Sequence, residues 1–192
     1  MRTETDAEVI EGSLRDGERF ALLYDRHHVA IHRYIARRLG PDLADDLMAE
    51  TFLVAFSRRE RYDRSRPDAR PWLYGIATNL VRGHRRAEVA QWRLIARTGV
   101  DEVAPPDNEA VLDRVSAQAA RSGLAAAVAR LSRGQRDVLL LTAAGGLSVE
   151  EIAAALGIAK GTAHSRLSRA RAKVRRALGG IDPLDVTEET GQ

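Results

Sequence analysis

The chain has 192 residues, 44% of them hydrophobic and only 5% aromatic, which suits one or two small domains with cores of Ala, Leu, Val and Ile. The formal net charge is +3 and cysteine is absent, which excludes disulfides and thiolate metal sites and fits a reducing cytosol. No apolar run approaches the ~20 residues needed to span a bilayer, and the polar, acidic N-terminus MRTETDAEVIEG does not read as a signal peptide.

In chain order, the first predicted helix covers Phe20 to Leu39. Phe20, Leu23, Tyr24, His27, Ile31, Tyr34 and Ile35 fall on one stripe, and Gly40-Pro41 ends it. Asp42 is the predicted N-cap of a second helix reaching about Arg59. Asp45, Asp46 and Glu50 lie early in it and Arg58 and Arg59 late, which complements the helix dipole. Tyr62 to Arg70, YDRSRPDAR, has no periodicity and reads as a loop. Pro71 suits the first turn of a third helix, which passes Trp72, Ile76 and Leu80 into the basic run Arg82, His84, Arg85, Arg86.

Thr98 to Asn108, with Gly99 and Pro105-Pro106, reads as a linker. Helix resumes near Glu109 and runs to Leu131, with a break expected at Ser122-Gly123. Ser132 and Gln135 form a capping box that opens a helix with the buried run Val138 to Leu141, stopped by Gly145-Gly146. Ser148 and Glu151 form another box. Ile152, Ala153 and Leu156 recur at helical spacing, Gly157 turns the chain, and a last helix starts near Lys160. Its apolar set is Ala163, Leu167, Ala170 and Val174. Its other face carries Lys160, Thr162, His164, Ser165, Arg166, Arg169 and Lys173. A helix with small apolar residues inward and donors outward fits the major groove of duplex DNA. From Leu124 to Leu178 ten basic residues face three acidic ones, which points to a polyanionic partner. No strand pattern appears, so the expected fold is all-α, with two small helical domains joined by a flexible linker.

His28 and His32 stand four apart, a spacing able to grip a metal, but no Glu completes a His-Glu-x-x-His pattern, and they read as surface or interface histidines. Lys160-Gly161-Thr162 lacks the strand and Gly-rich turn of a phosphate loop. No nucleophile–base pair is supported. The expectation is therefore no catalytic site, no metal and no cofactor.

Three blocks together resemble a bacterial RNA polymerase sigma factor of the extracytoplasmic-function group. They are FALLYDRHHVAIHRYIARRLG with DLADDLMAETFLVAF, then RPWLYGIATNLVRGHRR, then LSRGQRDVLLLTAAGGLSVEEIAAALGIAKGTAHSRLSRARAKVRR. The resemblance implies sigma region 2 over residues 1–97 and region 4 over 109–180, on either side of the linker over 98–108, while the acidic composition of 181–192 reads as a disordered tail. Region 2 would bind the polymerase clamp and open the −10 element. Region 4 would read the −35 element and dock on the polymerase flap. The implied partners are core RNA polymerase, promoter DNA and an anti-sigma factor. The implied setting is cytoplasmic, with no membrane insertion, and the implied role is that of a non-catalytic specificity subunit.

For the −35 element the residues are Lys160, Thr162, His164, Ser165, Arg166 and Arg169. Lys160 and Thr162 sit at the helix start, where free N–H groups favour a phosphate, and Arg is suited to guanine. Arg171, Arg175 and Arg176 read equally as phosphate contacts or as a solvated helix end. For the −10 element, unstacked bases need a π-face and a polar pocket. Tyr62, Trp72 and Asn79 are assigned to it, with Arg64, Arg66, Arg82, Arg85 and Arg86 neutralising the backbone; Trp72 and Tyr74 read equally as core anchors. Asp45, Asp46, Glu50, Thr51 and Phe52 match the family's clamp-binding helix, where the acids would also serve the helix dipole without any partner. The competing reading is a conventional dimeric helix-turn-helix regulator, which would need neither the Trp72–Asn79 block nor the acidic helix.

Overall fold

The computed structural model describes residues 4–97 and 117–179, with backbone only over 88–97 and 117–122. Among the described residues there are eight α-helices and no strand. They are α1 (Asp6–Ser13), α2 (Ala21–Leu39), α3 (Ala44–Ser57), α4 (Arg70–Arg97), α5 (Ala117–Ala129), α6 (Arg133–Gly145), α7 (Val149–Leu156) and α8 (Lys160–Ala177). The all-α expectation holds. The predicted linker 98–108, the start of the following helix and the tail 181–192 lie outside the described residues.

Among the described residues the chain clusters into two compact units, one of 4–82 with 140–164, the other of 83–97, 117–139 and 165–179. In the first, α2 packs on α3. Leu23, Ile31, Tyr34 and Ile35 are buried on α2, Leu47, Met48 and Phe52 on α3, and Leu73, Tyr74, Ala77 and Val81 on α4. Edge-to-face ring pairs, the preferred aromatic geometry, tie these helices: Phe20–Phe56 at 5.3 Å, Tyr24–Phe52 at 4.9 Å and Tyr34–Tyr74 at 5.2 Å. The core also encloses a polar relay. Arg38 Nη1 donates to Tyr34 Oη at 2.6 Å, and that oxygen lies 2.7 Å from Thr78 Oγ1.

Two local expectations, the Asp42 cap and the Ser122-Gly123 break, are corrected, and two elements go further than the pattern read. Asp42 is not the cap of α3: Leu43 occupies that position without a side-chain bond, and Ala44 N donates to Pro41 O at 3.0 Å, so the helix grows out of a backbone turn. Helix α4 continues past the basic run to Arg97. There is no break at Ser122-Gly123, which α5 carries as helix. Finally, the N-terminal segment forms α1, opened by a Thr5–Glu8 capping box, with Val9 and Ile10 fully buried.

In α6 the Ser132–Gln135 box forms as predicted, with Ser132 N to Gln135 Oε1 at 3.2 Å and Gln135 N to Ser132 Oγ at 3.4 Å. The Ser148–Glu151 box opens α7. Gly157 ends α7 at φ 62°, ψ 40°, a left-handed conformation that costs a residue with Cβ roughly 1–2 kcal/mol. Ile158 N then reaches Ala153 O at 3.0 Å and Gly157 N reaches Ala154 O at 3.3 Å, the paired bonds of a Schellman turn. On α8 the predicted set Ala163, Leu167, Ala170 and Val174 is buried.

Candidate nucleic-acid interface

Between α3 and α4 the chain runs without regular structure from Tyr62 to Ala69. Side-chain bonds hold it. The Tyr62 ring is buried against Trp72 with centroids 5.0 Å apart, and its hydroxyl donates to Arg66 O at 2.7 Å. Burial, reinforced by the negative charges of Asp6 and Asp68, pushes this phenol far above its usual range, so it stays a donor. Asp63 Oδ1 accepts from Ser65 Oγ at 2.6 Å and Ser65 N at 3.2 Å, while Oδ2 accepts from Arg66 Nε at 3.2 Å. The Ser65 and Arg66 bonds hold the Asp63 carboxyl below its ordinary value. Asp68 accepts from Arg70 N at 2.9 Å and Arg70 Nε at 2.8 Å, a bond that raises the Arg70 guanidinium further.

Asp6 completes this framework from α1. Oδ2 lies 2.8 Å from His27 Nε2 and accepts from Ala69 N at 3.0 Å; Oδ1 accepts from Arg26 Nη1 at 2.9 Å. Burial alone would raise this carboxyl, but the His27, Ala69 and Arg26 bonds outweigh it and hold it at about 2. No feature of residue spacing assigned Asp6 a role. The readable signal was the Thr5–Glu8 capping box that marks α1.

A cavity opens on this loop, lined by Arg61, Tyr62, Asp63, Arg66, Trp72 and, from α7, Ala154 and Ala155, with Asp68 and Pro71. Trp72 is half-buried and Tyr74 buried, so Tyr74 is the core anchor and Trp72 shows part of its ring. Asn79, seven residues along α4 from Trp72, is exposed, and Arg86 follows after another seven; this spacing keeps all three on one helix face. Arg82 and Arg85 are half-buried. Arg64 and Arg66 are exposed. Arg64 Nη1 stands 3.8 Å from Glu11 Oε1, and Arg66 pairs with Asp63.

The predicted groove-reading residues divide by setting. Lys160, His164 and Arg169 are exposed, whereas Thr162, Ser165 and Arg166 are half-buried. Lys160 forms an ion pair with Glu150, whose carboxyl it holds below the usual value. Arg166 lies flat on the first turn of α6: a Cβ placed on Gly134 would come 3.1 Å from its Nη1. Lys173 is taken up by Gln135 Oε1 at 3.2 Å.

On α3, Asp45, Asp46 and Glu50 are exposed, but Thr51 and Phe52 do not share their face. Thr51 is 0% exposed with its hydroxyl donating to Leu47 O at 2.7 Å, and Phe52 is buried against Tyr24. Leu53, which the residue pattern did not single out, is 65% exposed and stands on the Asp46–Glu50 stripe. His28 stacks on Tyr24 at 4.8 Å, and His32 Nε2 lies 3.3 Å from Asp45 Oδ1, so each histidine has its own partner. Among the described residues no group of three or more His, Cys, Asp or Glu is placed to hold a metal, and no helix is long and apolar enough to cross a membrane.

The family profile described as Sigma-70 region 2 matches residues 23–91, and that described as Sigma-70, region 4 matches residues 121–174. The ECF RNA polymerase sigma factor SigL of Mycobacterium tuberculosis is 36% identical over 163 residues, 81% of this chain and 86% of SigL. Among solved structures, CnrH in complex with the cytosolic domain of CnrY aligns at a TM-score of 0.64 with 27% identity, over 91% of this chain and 97% of that one. The sigma factor RpoE in complex with the anti-sigma factor NepR from Bartonella quintana aligns at 0.63 with 26% identity, over 83% and 96%.

Proposed function

This chain belongs to the extracytoplasmic-function group of RNA polymerase sigma factors and directs transcription initiation, and from that premise we propose how its residues divide the work. Residues 1–97 capture and open the −10 element, 109–180 read the −35 element, 98–108 tether the two, and 181–192 form a tail. The observation that carries the −10 assignment is the braced cavity beside Tyr62 and Trp72, continued along one face of α4 by Asn79 and Arg86. A base extruded from the stack needs a π-face and polar partners at a fixed distance; Trp72 supplies the first and Asp63 and Arg66 of the loop the second, while Asn79, two turns on, meets the neighbouring nucleotide of the strand. Arg64, Arg66, Arg82, Arg85 and Arg86 neutralise the strand backbone.

On α8, Arg166 reads a base edge while Lys160, Thr162, His164, Ser165 and Arg169 set the helix on phosphates and neighbouring edges. The polymerase clamp docks on Asp45, Asp46 and Glu50, with Leu53 as the apolar anchor on the same face; Thr51 and Phe52 support that helix from behind. As a specificity subunit the chain does no covalent chemistry and works in the cytoplasm. CnrH and RpoE were solved with bound partners, and a partner of the anti-sigma class is proposed for this chain too. Ala154 and Ala155 of α7 wall the same cavity, so in the free chain α7 competes with single-stranded DNA for the opening.

The test is in vitro transcription with core RNA polymerase and the full chain, with start sites mapped. Promoter-specific starts that appear only when both are present support the reading. Failure of core polymerase to retain the chain, or starts independent of the −10 sequence, overturns it.

A further inference from the structure

The N-terminal helix α1 precedes the stretch matched by the region 2 profile, which begins at residue 23. It nevertheless runs antiparallel along the base-reading loop, touching the turn just before it once and the loop itself at three points. Arg59 Nε donates to Ser13 O at 3.4 Å, at the loop's entrance. Arg64 Nη1 lies 3.8 Å from Glu11 Oε1 at its middle. At its exit, Asp6 N donates to Pro67 O at 3.1 Å and Asp6 Oδ2 accepts from Ala69 N at 3.0 Å. The last two bonds form a clamp in which one residue grips two backbone groups across Asp68. Asp6 is only 7% exposed and is itself braced by Arg26 and His27 of α2.

Ala69 precedes the first residue of α4, and Leu73 N donates to its carbonyl at 3.0 Å, so Ala69 is the N-cap of α4. Its side chain has no oxygen; Asp68 Oδ1 takes the next N–H, Arg70 N, at 2.9 Å, and the carboxylate on Ala69 N itself comes from α1. A negative group there is favoured by the helix dipole. The direction in which α4 leaves the loop, and with it the placing of Trp72 against Tyr62, therefore depends on Asp68 next to it and on a residue 63 positions away in sequence.

We propose that Asp6 is a positioning residue for −10 base selection: by clamping Pro67 and Ala69 it holds the Tyr62–Ala69 loop and the first turn of α4 at the spacing at which the cavity discriminates among bases. The inference rests on the −10 reading above. It makes α1 part of the promoter-opening apparatus, although Asp6 touches no base.

The experiment uses holoenzyme reconstituted from core polymerase and the full chain, with wild type, Asp6→Ala and Asp6→Asn compared on promoters carrying each of the four bases at the selected −10 position. For Asp6→Ala the preference for the selected base over the other three falls about tenfold, the scale set by losing one charged hydrogen bond. Asp6→Asn, whose amide oxygen still accepts from Ala69 N–H, recovers part of it. An unchanged preference in Asp6→Ala, or a loss of initiation equal for all four bases, overturns the proposal, because a merely structural residue lowers activity without altering choice. Should Asp6→Ala fail to fold, amide exchange on the full-length Asp6→Asn chain decides: faster exchange confined to residues 63–70 supports the clamp, and unchanged exchange there refutes it. If wild-type holoenzyme shows no −10 preference at all, the promoter reading fails on its own, while the exchange result still tells whether α1 holds the loop.

Discussion

Arg166 and Arg169 stand one turn apart on α8 but in different settings, and that difference predicts opposite phenotypes. Arg166 is half-buried, with its guanidinium laid against the Gly134 backbone; Arg169 is exposed. An Arg side chain carries about 2 kcal/mol of rotamer entropy. Packing on α6 has already removed part of that for Arg166, so its planar fork can meet a base edge with little further ordering, whereas Arg169 must be ordered on binding and suits the more tolerant geometry of a phosphate. A bidentate Arg–guanine pair discriminates by about 1–3 kcal/mol, roughly 5- to 150-fold. Arg166→Ala should therefore lower holoenzyme affinity for its own promoter by that factor and flatten the preference at one −35 base. Arg169→Ala should weaken all sequences alike and reduce the slope of log K against log salt by about one. The assay is a salt titration of holoenzyme binding to fluorescent promoter fragments, one set for each −35 base. Equal losses on promoter and random duplex for Arg166→Ala would refute base reading by this side chain, and an unchanged salt slope for Arg169→Ala would refute the phosphate contact.

Asn79→Ala should diminish permanganate reactivity of −10 thymines in the open complex while closed-complex footprints at −35 persist; undiminished melting removes Asn79 from the strand-binding face of α4. Leu53→Asp should weaken binding to core polymerase about tenfold, the value of one buried Leu side chain, with the thermal midpoint unchanged. Phe52→Ala should instead destabilise the chain by about 3–5 kcal/mol, and a pull-down with core polymerase beside a melting curve separates the two. Asp6, held at about 2 against an ordinary 3.8, binds its proton more weakly when folded. It therefore adds stability of about 2 kcal/mol that is complete above about pH 4 and fades as the pH falls toward 2. Urea unfolding at stepped pH should show a shallower decline for Asp6→Asn in that window, and identical slopes would contradict the clamp's electrostatics.

Much of the fold was legible because its signals are local. The Ser132–Gln135 and Ser148–Glu151 boxes, the Gly157 turn and the Ala163–Val174 stripe each need only neighbours within about two helical turns, and all four are realised. What escaped was set by distant residues. The Asp6 clamp joins positions 21 and 63 residues away, which no periodicity encodes. Helix α1 itself carried a local box, Thr5 with Glu8, but its acidic surroundings read as a polar end. On α3 the apolar residues Leu47, Met48, Phe52, Leu53, Val54 and Phe56 leave the outward face undecided by pattern, so Leu53 and Phe52 could exchange roles until α2 was packed against them. Asp42 looked like a cap by residue type, yet the turn from Pro41 to Ala44 satisfied the backbone first.

The amount of bonding in the Tyr62–Ala69 loop matches what the proposed base capture would require. Stacking an unpaired base on an aromatic ring is worth about 1–3 kcal/mol, and unpairing it costs a few kcal/mol in the opposite direction. Ordering a flexible backbone costs about 1–2 kcal/mol per residue. For eight residues that cost would exceed the whole gain from stacking, so a loop that had to order on binding could not hold the base. The cavity can work only if its loop is ordered before DNA arrives. Tyr62 to Arg66, Asp63 to Ser65, Asp68 to Arg70 and Asp6 to Pro67 and Ala69 do this ordering during folding. On the proposed reading, base choice at this cavity would depend as much on bonds that touch no nucleotide as on the side chains that line it.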